Sequence, residues 1–387
     1  MDLHERNPFL GGRAASFPLS PSNPDSERID NCQHVLLRCC KNLLDFYRRC
    51  GVEDKIRFFD EYHFVEPGGR VSSLKPSLGA LRSFPVLGWR DKIAVARGLL
   101  AMKRERGRAE VASQTLARWL AAHGQTEAAV RRFWRPVIVS ALNEELDRAS
   151  AAPALQVFLE GFLGEAGSYQ MGVPAVPLSQ LYDTARLGDR VRVHLRSSLD
   201  RLDPADRAAD FYVSAVPFER VNDLVPGLGL DLAKFEHSPI TGIHLWFDRE
   251  ITALPQAALL DRTVQWIFRK SAAYYQLVVS ASRSLMPLAR QEIVDLALRD
   301  LGEFFPAARA ARLERAQVIK DSRATFSPAP GVEAARPAAE TRFPNLFLVG
   351  DWTRSGWPAT MEGAVRSGYL AAEAVCRAAA GPARFLL

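Results

Sequence analysis

Gly350 and Asp351 lie where a predicted buried strand, NLFLVGD (345–351), meets a long predicted helix that begins near Pro358. A glycine at a strand end lets a ligand approach the backbone closely, and a carboxylate there accepts hydrogen bonds from ribose-type hydroxyls. Amides that open a helix stabilise negative charge on a ligand; here they belong to Met361, Glu362 and Gly363. A plain C-terminal strand–helix unit is the alternative interpretation.

A second set of candidate binding residues lies in the first seventeen, MDLHERNPFLGGRAASF. Residues 2–5 are typical of the end of a strand. Gly11-Gly12-Arg13 predicts a turn whose guanidinium binds an anion. No G-x-G-x-x-G motif occurs in the 387 residues, and GLGL at 227–230 lacks both the third glycine and a suitable preceding strand.

The elements that would position these residues are predicted from the spacing of apolar side chains. Helices are predicted at 33–50, from Trp89 to about Asn143, at 151–163 and at 287–304. Strands are predicted within 56–74, with a turn at Gly68-Gly69, and at 191–196 and 210–217, which we expect to be neighbours. An antiparallel sheet in a second lobe is predicted from 241–248, 263–268 and 274–282, and further strands are predicted near 314–320. The Ala/Pro-rich stretch 328–339 is interpreted as an ordinary loop.

Composition is typical of a globular protein large enough for two interlaced lobes, with 387 residues, 48% apolar and 24% charged. The five cysteines include no C-x-x-C pair, which argues against a metal site and indicates a reducing compartment. No stretch reaches the length of a membrane span, and residues 1–20 have no apolar core of a secretory signal. We therefore expect a cytoplasmic protein.

The net charge of +6 is compatible with nucleic acid, an anionic membrane surface or an anionic cofactor as partner. No nucleic-acid-binding motif is present, so nucleic acid is not expected. GWRDKIAVARGLLAMKRERGR (88–108) predicts a basic amphipathic helix with Ile93, Ala96 and Leu100 on one face. Such a helix can lie on the inner face of the cell membrane. A surface helix with a solvated basic end is the alternative.

The stretch LFLVGDWTRSGWPATMEGAVRSGYLAAEAV (346–375) closely resembles the C-terminal flavin-binding signature of the amine oxidase and carotenoid desaturase superfamily. Its Gly-Trp-Pro-Ala-Thr-Met-Glu-Gly-Ala run resembles one branch, the squalene-associated FAD-dependent desaturases or hydroxysqualene dehydroxylases. Further stretches resemble the family in the same order: LGGRAASF (10–17), IDNCQHVLL (29–37), RFWRPVIVSALNEELDRAS (132–150), GVPAVPLSQLY (172–182) and VSAVPFERV (213–221).

The resemblance implies an α/β fold, with a Rossmann-like FAD lobe of the glutathione-reductase type, N-terminally incomplete, interleaved with an α+β substrate lobe. FAD-lobe segments would be 1–60, 176–235 and 321–387, a mainly helical substrate and membrane-facing segment 61–175, and an antiparallel-sheet substrate lobe 236–320. The resemblance places FAD against Glu5 (adenosine ribose), Gly11, Gly12 and Arg13 (phosphate-side turn), Leu199 (adenine), and Gly350, Asp351, Trp357, Met361, Glu362, Gly363 and Ala364 (ribityl chain and flavin ring).

Three departures from the family stand out. The first strand and its glycine-rich turn are absent, which leads us to expect a start about 30 residues late, the size of that βα unit, through a misassigned start codon. Cys32 stands where the family has glycine, and 183–190 and 203–209 are shorter than expected. A chain that keeps part of the fold without binding FAD is one alternative.

The reaction implied by the resemblance replaces the allylic hydroxyl of hydroxysqualene with hydrogen, giving squalene for hopanoid synthesis. Phe133, Trp134, Phe158 and Trp246 would line an apolar tunnel for the isoprenoid chain, although each also suits core packing. A proton donor must reach the departing hydroxyl, and we select Asp30 and Glu144. His34 and Glu145 are further polar candidates, and His34 is interpreted as structural. A desaturase of another polyene or an amine oxidase is the alternative activity.

Overall fold

The computed structural model describes residues 1–20, 22–76, 79–182, 188, 190–206, 208–379 and 381–387. The strands are β1 (Asp2–Glu5), β2 (Ser16–Ser20), β3 (Asn23–Asp30), β4 (Leu36–Leu37), β5 (Ile56–Phe59), β6 (Tyr62–Val65), β7 (Val71–Leu74), β8 (Met171–Pro174), β9 (Arg192–Leu195), β10 (Tyr212–Ser214), β11 (His237–Phe247), β12 (Gln256–Leu259), β13 (Trp266–Arg269), β14 (Tyr274–Ser280), β15 (Leu313–Phe326) and β16 (Leu346–Leu348).

The helices are α1 (Lys41–Arg49), α2 (Ala80–Ser83), α3 (Trp89–Glu105), α4 (Ala109–Ala112), α5 (Leu116–Ala122), α6 (Glu127–Ala129), α7 (Arg135–Leu142), α8 (Ala151–Gln156), α9 (Ser179–Tyr182), α10 (Phe218–Leu224), α11 (Arg290–Phe304), α12 (Pro306–Ala310), α13 (Val332–Ala335) and α14 (Met361–Ala379). Wider π-type turns at Val130–Trp134 and Val157–Phe162 adjoin α7 and α8. None of the described helices is long and apolar enough to cross a membrane.

The largest sheet has seven strands in the order β15-β11-β14-β13-β12-β6-β7. Its pairs are antiparallel except for β12 with β6, which run parallel. One face packs on α11 through a core that includes Ile243, Leu277 and Leu301. The other face packs on the helices between 80 and 162 through a core that includes Trp134 and Phe158. The predicted antiparallel sheet is thus present, and both of its faces are covered.

The FAD-lobe segments form smaller sheets. β1 pairs in parallel with β9, and β10 pairs in parallel with β16. The expectation that 191–196 and 210–217 are neighbours is therefore wrong, because each strand hydrogen-bonds a strand that is distant in sequence. Strands β6 and β7, within 61–175, join the sheet formed by 237–326, which interleaves the lobes. The domain boundaries themselves stay a prediction.

The predicted helix at 33–50 is wrong in its first half. Leu36 and Leu37 pair with Gly172 and Met171 in a strand, and α1 begins only at Lys41. Leucines suit both periodicities, so the spacing alone did not separate the two structures. The predicted turn at Gly68-Gly69 joins β6 to β7, and both glycines have positive φ.

Candidate functional site

The loop that links β16 to α14 is held tightly at Gly350. Its φ of +138° is one that L side chains rarely adopt, and a Cβ atom there would lie 2.6 Å from Nε1 of Trp352. The amide of Gly350 donates to the Ser367 hydroxyl at 2.8 Å, and Trp352 Nε1 donates to the Val216 carbonyl at 3.1 Å. Only glycine fits this position without strain, which explains the Gly-Asp at the strand end.

The Gly11-Gly12-Arg13 turn meets this loop through an ion pair. Arg13 Nη2 lies 2.5 Å from Oδ1 of Asp351, and Arg13 Nη1 donates to the Ala324 carbonyl at 3.0 Å. Gly11 and Gly12 have φ values of +106° and +60°, and the Ala14 amide closes the turn on the Gly11 carbonyl at 3.0 Å. Two predicted site segments more than 330 positions apart in sequence are thereby in direct contact.

Arg336 lies in the stretch 328–339, for which the sequence predicts an ordinary loop, and it holds the 351–357 segment in place. Its side chain is 2% exposed. It donates to the carbonyls of Asp351 (2.9 Å), Thr353 (2.9 Å) and Trp357 (2.8 Å). One guanidinium with its fixed fork of donors therefore orders three successive parts of the predicted flavin-side loop. Nothing in the local sequence pattern distinguishes this arginine.

At the start of α14, the main-chain amides and the Glu362 side chain make contacts with different parts of the protein. Thr360 caps the helix by accepting from the Gly363 amide at 3.2 Å. The buried Glu362 carboxylate accepts instead from Leu43 (2.7 Å) and Asn42 (Nδ2, 2.8 Å), at the start of α1. Burial raises the pKa of Glu362, although these hydrogen bonds oppose the change. The Glu362 side chain thus caps α1, and its amide is the part that faces the α14 N-terminus.

The remaining residues that are predicted to bind FAD make separate contacts of their own. Glu5 ends β1, and its carboxylate accepts from the Asn7 amide at 2.7 Å. Leu199 is 43% exposed and Ala364 is exposed. Met361 packs inward, with its sulfur 3.4 Å from the Tyr182 hydroxyl. The guanidinium carbon of Arg366 lies 5.4 Å from the centre of the half-buried Trp357 ring.

Asp30 lies at the end of β3 in a polar cluster between the lobes. Its carboxylate accepts from Ser16 Oγ (2.6 Å) and the Leu178 amide (2.9 Å), and Lys270 Nζ is 3.4 Å away. Lys270 also donates to Gln33 Oε1 at 3.1 Å. Lys270 was missed by the sequence analysis because its approach to Asp30 is created only by the packing of β13 on this segment.

The Glu144 side chain is fully buried, and its carboxylate accepts hydrogen bonds from several neighbouring groups. Arg283 makes two 2.7 Å hydrogen bonds to its two carboxylate oxygens, Ser327 Oγ donates at 2.5 Å and the Glu145 amide at 2.9 Å. Burial opposes ionisation, but these donors outweigh it and hold the pKa of Glu144 below its usual range. A carboxylate held in this way is a poor proton donor, so the geometry favours a structural role over the predicted catalytic one.

Three other residues singled out from the sequence, His34, Cys32 and Glu145, are buried or paired with neighbouring groups. Burial lowers the pKa of His34, whose Nδ1 lies 3.1 Å from the Cys32 carbonyl. Cys32 itself is buried, and burial raises its pKa to about 12. Glu145 pairs with Arg135 at 2.6 Å. None of these three shows a free acid poised toward a site.

The residues present fit the ribityl and ring portion of FAD. The structure pairs a carboxylate that follows a strand with an arginine on a two-glycine turn, and a 19-residue helix begins ten positions after that carboxylate. Their donors and acceptors match a ligand that carries both hydroxyls and phosphates. Gly350 and Gly11 allow close packing of both loops, because a Cβ atom at either position would collide with Trp352 or Ala14.

Comparisons with known proteins identify the family and several relatives. The family model described as flavin containing amine oxidoreductase matches residues 1–376. A hydroxysqualene dehydroxylase of Sinorhizobium fredii is 33% identical over 406 residues, covering 96% of this chain and 91% of the relative. A 15-cis-phytoene desaturase of Synechococcus elongatus is 24% identical over 431 residues, covering 96% and 90%.

Two solved structures support the fold. A triple variant of putrescine oxidase superposes with a TM-score of 0.72 at 15% identity, covering 97% of this chain and 93% of that one. Cyclohexylamine oxidase from Brevibacterium oxydans gives 0.71 at 15% identity, covering 97% and 92%. At this identity the likeness concerns the fold alone, and it confirms the predicted α/β class.

Proposed function

Because the chain belongs to the flavin containing amine oxidoreductase family, we propose that it converts hydroxysqualene to squalene. It is an FAD-dependent oxidoreductase. The observation that carries the substrate proposal is the 33% identity, over nearly the whole chain, to the hydroxysqualene dehydroxylase of Sinorhizobium fredii. Such a reaction would place the chain in triterpenoid synthesis, and in hopanoid synthesis where squalene is cyclised.

In this proposal, polar residues of the chain hold the cofactor and apolar residues surround the substrate. FAD in its reduced form supplies the hydride that replaces the hydroxyl. Arg13, Asp351 and the α14 amides would hold the cofactor, and Arg336 orders the loop on which Asp351 lies. The aromatic core between the sheet and the helical lobe, with Phe133 and Phe158 stacked at 5.8 Å, offers apolar surroundings for an isoprenoid chain.

The test is anaerobic incubation of the FAD-loaded protein with hydroxysqualene and a chemical reductant such as dithionite, followed by detection of squalene by gas chromatography and mass spectrometry. Squalene should accumulate in proportion to bound FAD. Asp351→Asn serves as the comparison, since it removes the charge that pairs with Arg13 and should lower the flavin absorbance per protein. Flavin-loaded protein that forms no squalene would contradict the proposal.

A polyene desaturase is the second candidate, because the phytoene desaturase of Synechococcus elongatus also matches 96% of the chain. An oxidised enzyme with an electron acceptor would then convert phytoene and leave hydroxysqualene unchanged. Amine oxidation belongs to the same comparison, with putrescine and cyclohexylamine as substrates. Product formation from one substrate class decides among the three activities.

We also propose that α3 docks on the cytoplasmic face of an anionic membrane. Trp89 (68%), Ile93 (45%) and Leu100 (57%) are exposed. At about 100° per residue they lie within about 40° of one another around the helix. The opposite face is buried in the largest core and includes Val95 and Met102, so the apolar outer stripe is not needed for folding.

Charge on the same helix suits a lipid surface. Basic side chains are provided by Arg90, Arg97, Lys103 and Arg104. The acidic Asp91 accepts from the Thr126 hydroxyl at 2.6 Å, and Glu105 accepts from Trp119 Nε1 at 2.8 Å, so both carboxylates turn inward. The five free cysteines are compatible with a cytoplasmic site. Each basic residue near an anionic surface contributes about 1 kcal/mol.

Sedimentation with vesicles tests this docking. Trp89→Ser combined with Leu100→Ser should lower binding to phosphatidylglycerol-containing vesicles at least about tenfold, since each large apolar side chain contributes about 1.5–3 kcal/mol when fully buried. Val71→Ser is the matched control, because Val71 is 48% exposed on β7, outside α3. Equal binding of the double variant and the unaltered protein would refute the role of α3.

A further inference from the structure

Four buried hydrogen-bonding atoms on one face of the seven-stranded sheet have no partner among the described residues. They are Nε2 of His244 on β11, both amide atoms of Gln276 on β14, and Oε1 of Gln256 on β12. All three side chains have an exposed fraction of 0%. Buried polar groups in folded proteins are almost always hydrogen-bonded, so a cluster of exceptions points to a missing ligand or water.

The three residues form one row across the sheet. His244 is opposite Gln276, and Gln276 is opposite Phe268 on β13. Phe268 is opposite Gln256 on β12. Directly opposed residues of antiparallel strands share a face, with Cβ atoms about 4.5–5.5 Å apart. The polar atoms of His244 and Gln276 are therefore neighbours on adjacent strands, whereas Gln256 lies two strands from Gln276, beyond the Phe268 ring, and its Nε2 donates to the Glu61 carbonyl at 2.7 Å.

The row lies inside the apolar layer between the sheet and the helical lobe. Phe268, Ala258 and Val278 on this face belong to the largest core. Tyr275 and Leu277, which alternate with Gln276 along β14, belong to the core on the opposite face under α11. A few convergent polar groups in apolar walls are the usual form of a site for a mostly hydrocarbon ligand.

The row also adjoins the residues assigned to the cofactor. Gly242, two positions before His244, approaches the Asn31 carbonyl so closely that a Cβ atom would lie 2.9 Å from it. Asn31 Nδ2 donates to the Arg13 carbonyl at 2.8 Å, and Arg13 pairs with Asp351. A continuous series of contacts therefore links the row to Asp351, in the loop that precedes α14.

We propose that His244 and Gln276 form the subsite that binds the hydroxyl group of the substrate. This inference rests on the proposed function, since hydroxysqualene carries a single hydroxyl on a long hydrocarbon. A hydroxyl both donates and accepts hydrogen bonds. It can therefore pair with Nε2 in either tautomer of His244 and, at the same time, with the amide oxygen or nitrogen of Gln276. The hydroxyl of Tyr274 contacts Nδ1 of His244 at 2.8 Å and fixes the ring. Burial lowers the pKa of His244 to about 4, although the backbone and the charge of Asp30 oppose this shift, so the ring is neutral at physiological pH.

Gln276→Met and His244→Phe test the subsite in the FAD-loaded enzyme. Each variant should raise KM for hydroxysqualene at least about tenfold, which corresponds to the loss of one hydrogen bond. Flavin absorbance per protein should stay unchanged, and the substrate-free Tm should stay equal or rise, because an unsatisfied buried group has been removed. Gln317→Met is the matched control, since Gln317 is opposite His244 on β15 but is exposed. If Gln276→Met fails to fold, Gln276→Leu takes its place, and if His244→Phe fails to fold, the Gln276 variant tests the subsite.

A binding measurement separates this inference from the proposed function. Geranylgeraniol, an isoprenoid alcohol, should raise the Tm of the unaltered enzyme more than squalene does, and the variants should erase that difference. If this holds although no squalene is formed from hydroxysqualene, the subsite stands and the proposed reaction fails. If squalene is formed and neither variant changes KM or the preference for the alcohol, the row holds internal water only and the inference is overturned.

Discussion

Replacing Arg283 with methionine tests the structural role of Glu144. In Arg283→Met the buried carboxylate would keep only Ser327, the Glu145 amide and Arg148 Nε at 3.6 Å. Removal of one partner from a buried ion pair costs about 3–5 kcal/mol. Because these three donors remain, we expect the free energy of unfolding to fall by about 3 kcal/mol, near the lower limit.

Glu144→Gln should cost less than Arg283→Met, about 1–2 kcal/mol, because a neutral amide replaces the carboxylate. The side chain of Arg283 is 35% exposed and can turn to water. The double variant Glu144→Leu with Arg283→Met should lie within about 1 kcal/mol of the unaltered protein, since apolar replacement of a buried pair is often neutral. We therefore expect Arg283→Met, which leaves the buried Glu144 carboxylate without Arg283, to be the least stable of the three variants.

The pH dependence has a definite sign. The pKa of Glu144 in the folded protein lies below its usual value of 4.5. Its ionised form therefore stabilises the fold at neutral pH, and this contribution is lost as the pH falls through the lowered pKa. The stability difference between the unaltered protein and Glu144→Gln should narrow as the pH falls from 7 to below 4.5.

Urea unfolding followed by circular dichroism, at one fixed FAD concentration, measures all three variants. A loss below about 1 kcal/mol in Arg283→Met would refute the buried-pair argument. Unchanged stability with a lower turnover per bound FAD in Glu144→Gln would restore the catalytic role predicted from the sequence.

Three further predictions concern the flavin-side loop and its surroundings. Gly350→Ala should lower stability by about 1–3 kcal/mol and reduce flavin absorbance per protein, whereas Gly368→Ala on α14, with nothing within 4 Å of its Cβ position, should be neutral or stabilising. Arg336→Lys should fold but need a higher FAD concentration for half-saturation, because lysine lacks the fork that binds three carbonyls at once; equal FAD affinity would contradict this. The Cys32 thiol should not react with Ellman's reagent at pH 8 until urea unfolds the protein, since its pKa is raised to about 12; labelling of Cys32 in the native state, located by peptide mass mapping, would contradict it.

The site features that the sequence predicts best are those fixed by local geometry or by a motif. Gly350 and Asp351 follow β16, which ends at Leu348, and the predicted helix is present, although it begins at Met361 and not near Pro358. The Gly11-Gly12 pair predicts a turn, and both residues have a positive φ, as expected for glycines in a turn. The resemblance assigns the turn and Asp351 to one cofactor, but their direct contact through Arg13 is seen only in the structure, since no periodicity relates positions so far apart.

The features that escaped the sequence all depend on tertiary packing. Arg336 lies in a stretch that looks like an ordinary loop, and its importance comes from carbonyls 15 to 21 positions away in sequence. Glu144 was selected as an acid because the sequence does not show Arg283, 139 positions later, as its partner. The predicted helix at 33–50 failed because pairing with β8 overrides local spacing at Leu36.

The close contact at Gly242 explains how the polar row and the cofactor-side residues keep a fixed relation. A Cβ atom at Gly242 would lie 2.9 Å from the Asn31 carbonyl, so β11 meets the end of β3 backbone to backbone. His244 lies on the same face as Gly242, because side chains alternate along a strand. A contact made by main-chain atoms has little rotamer freedom to lose. The position of His244 relative to Arg13 and Asp351 is therefore set by the fold itself, which is the kind of rigid support that a subsite for a single hydroxyl requires.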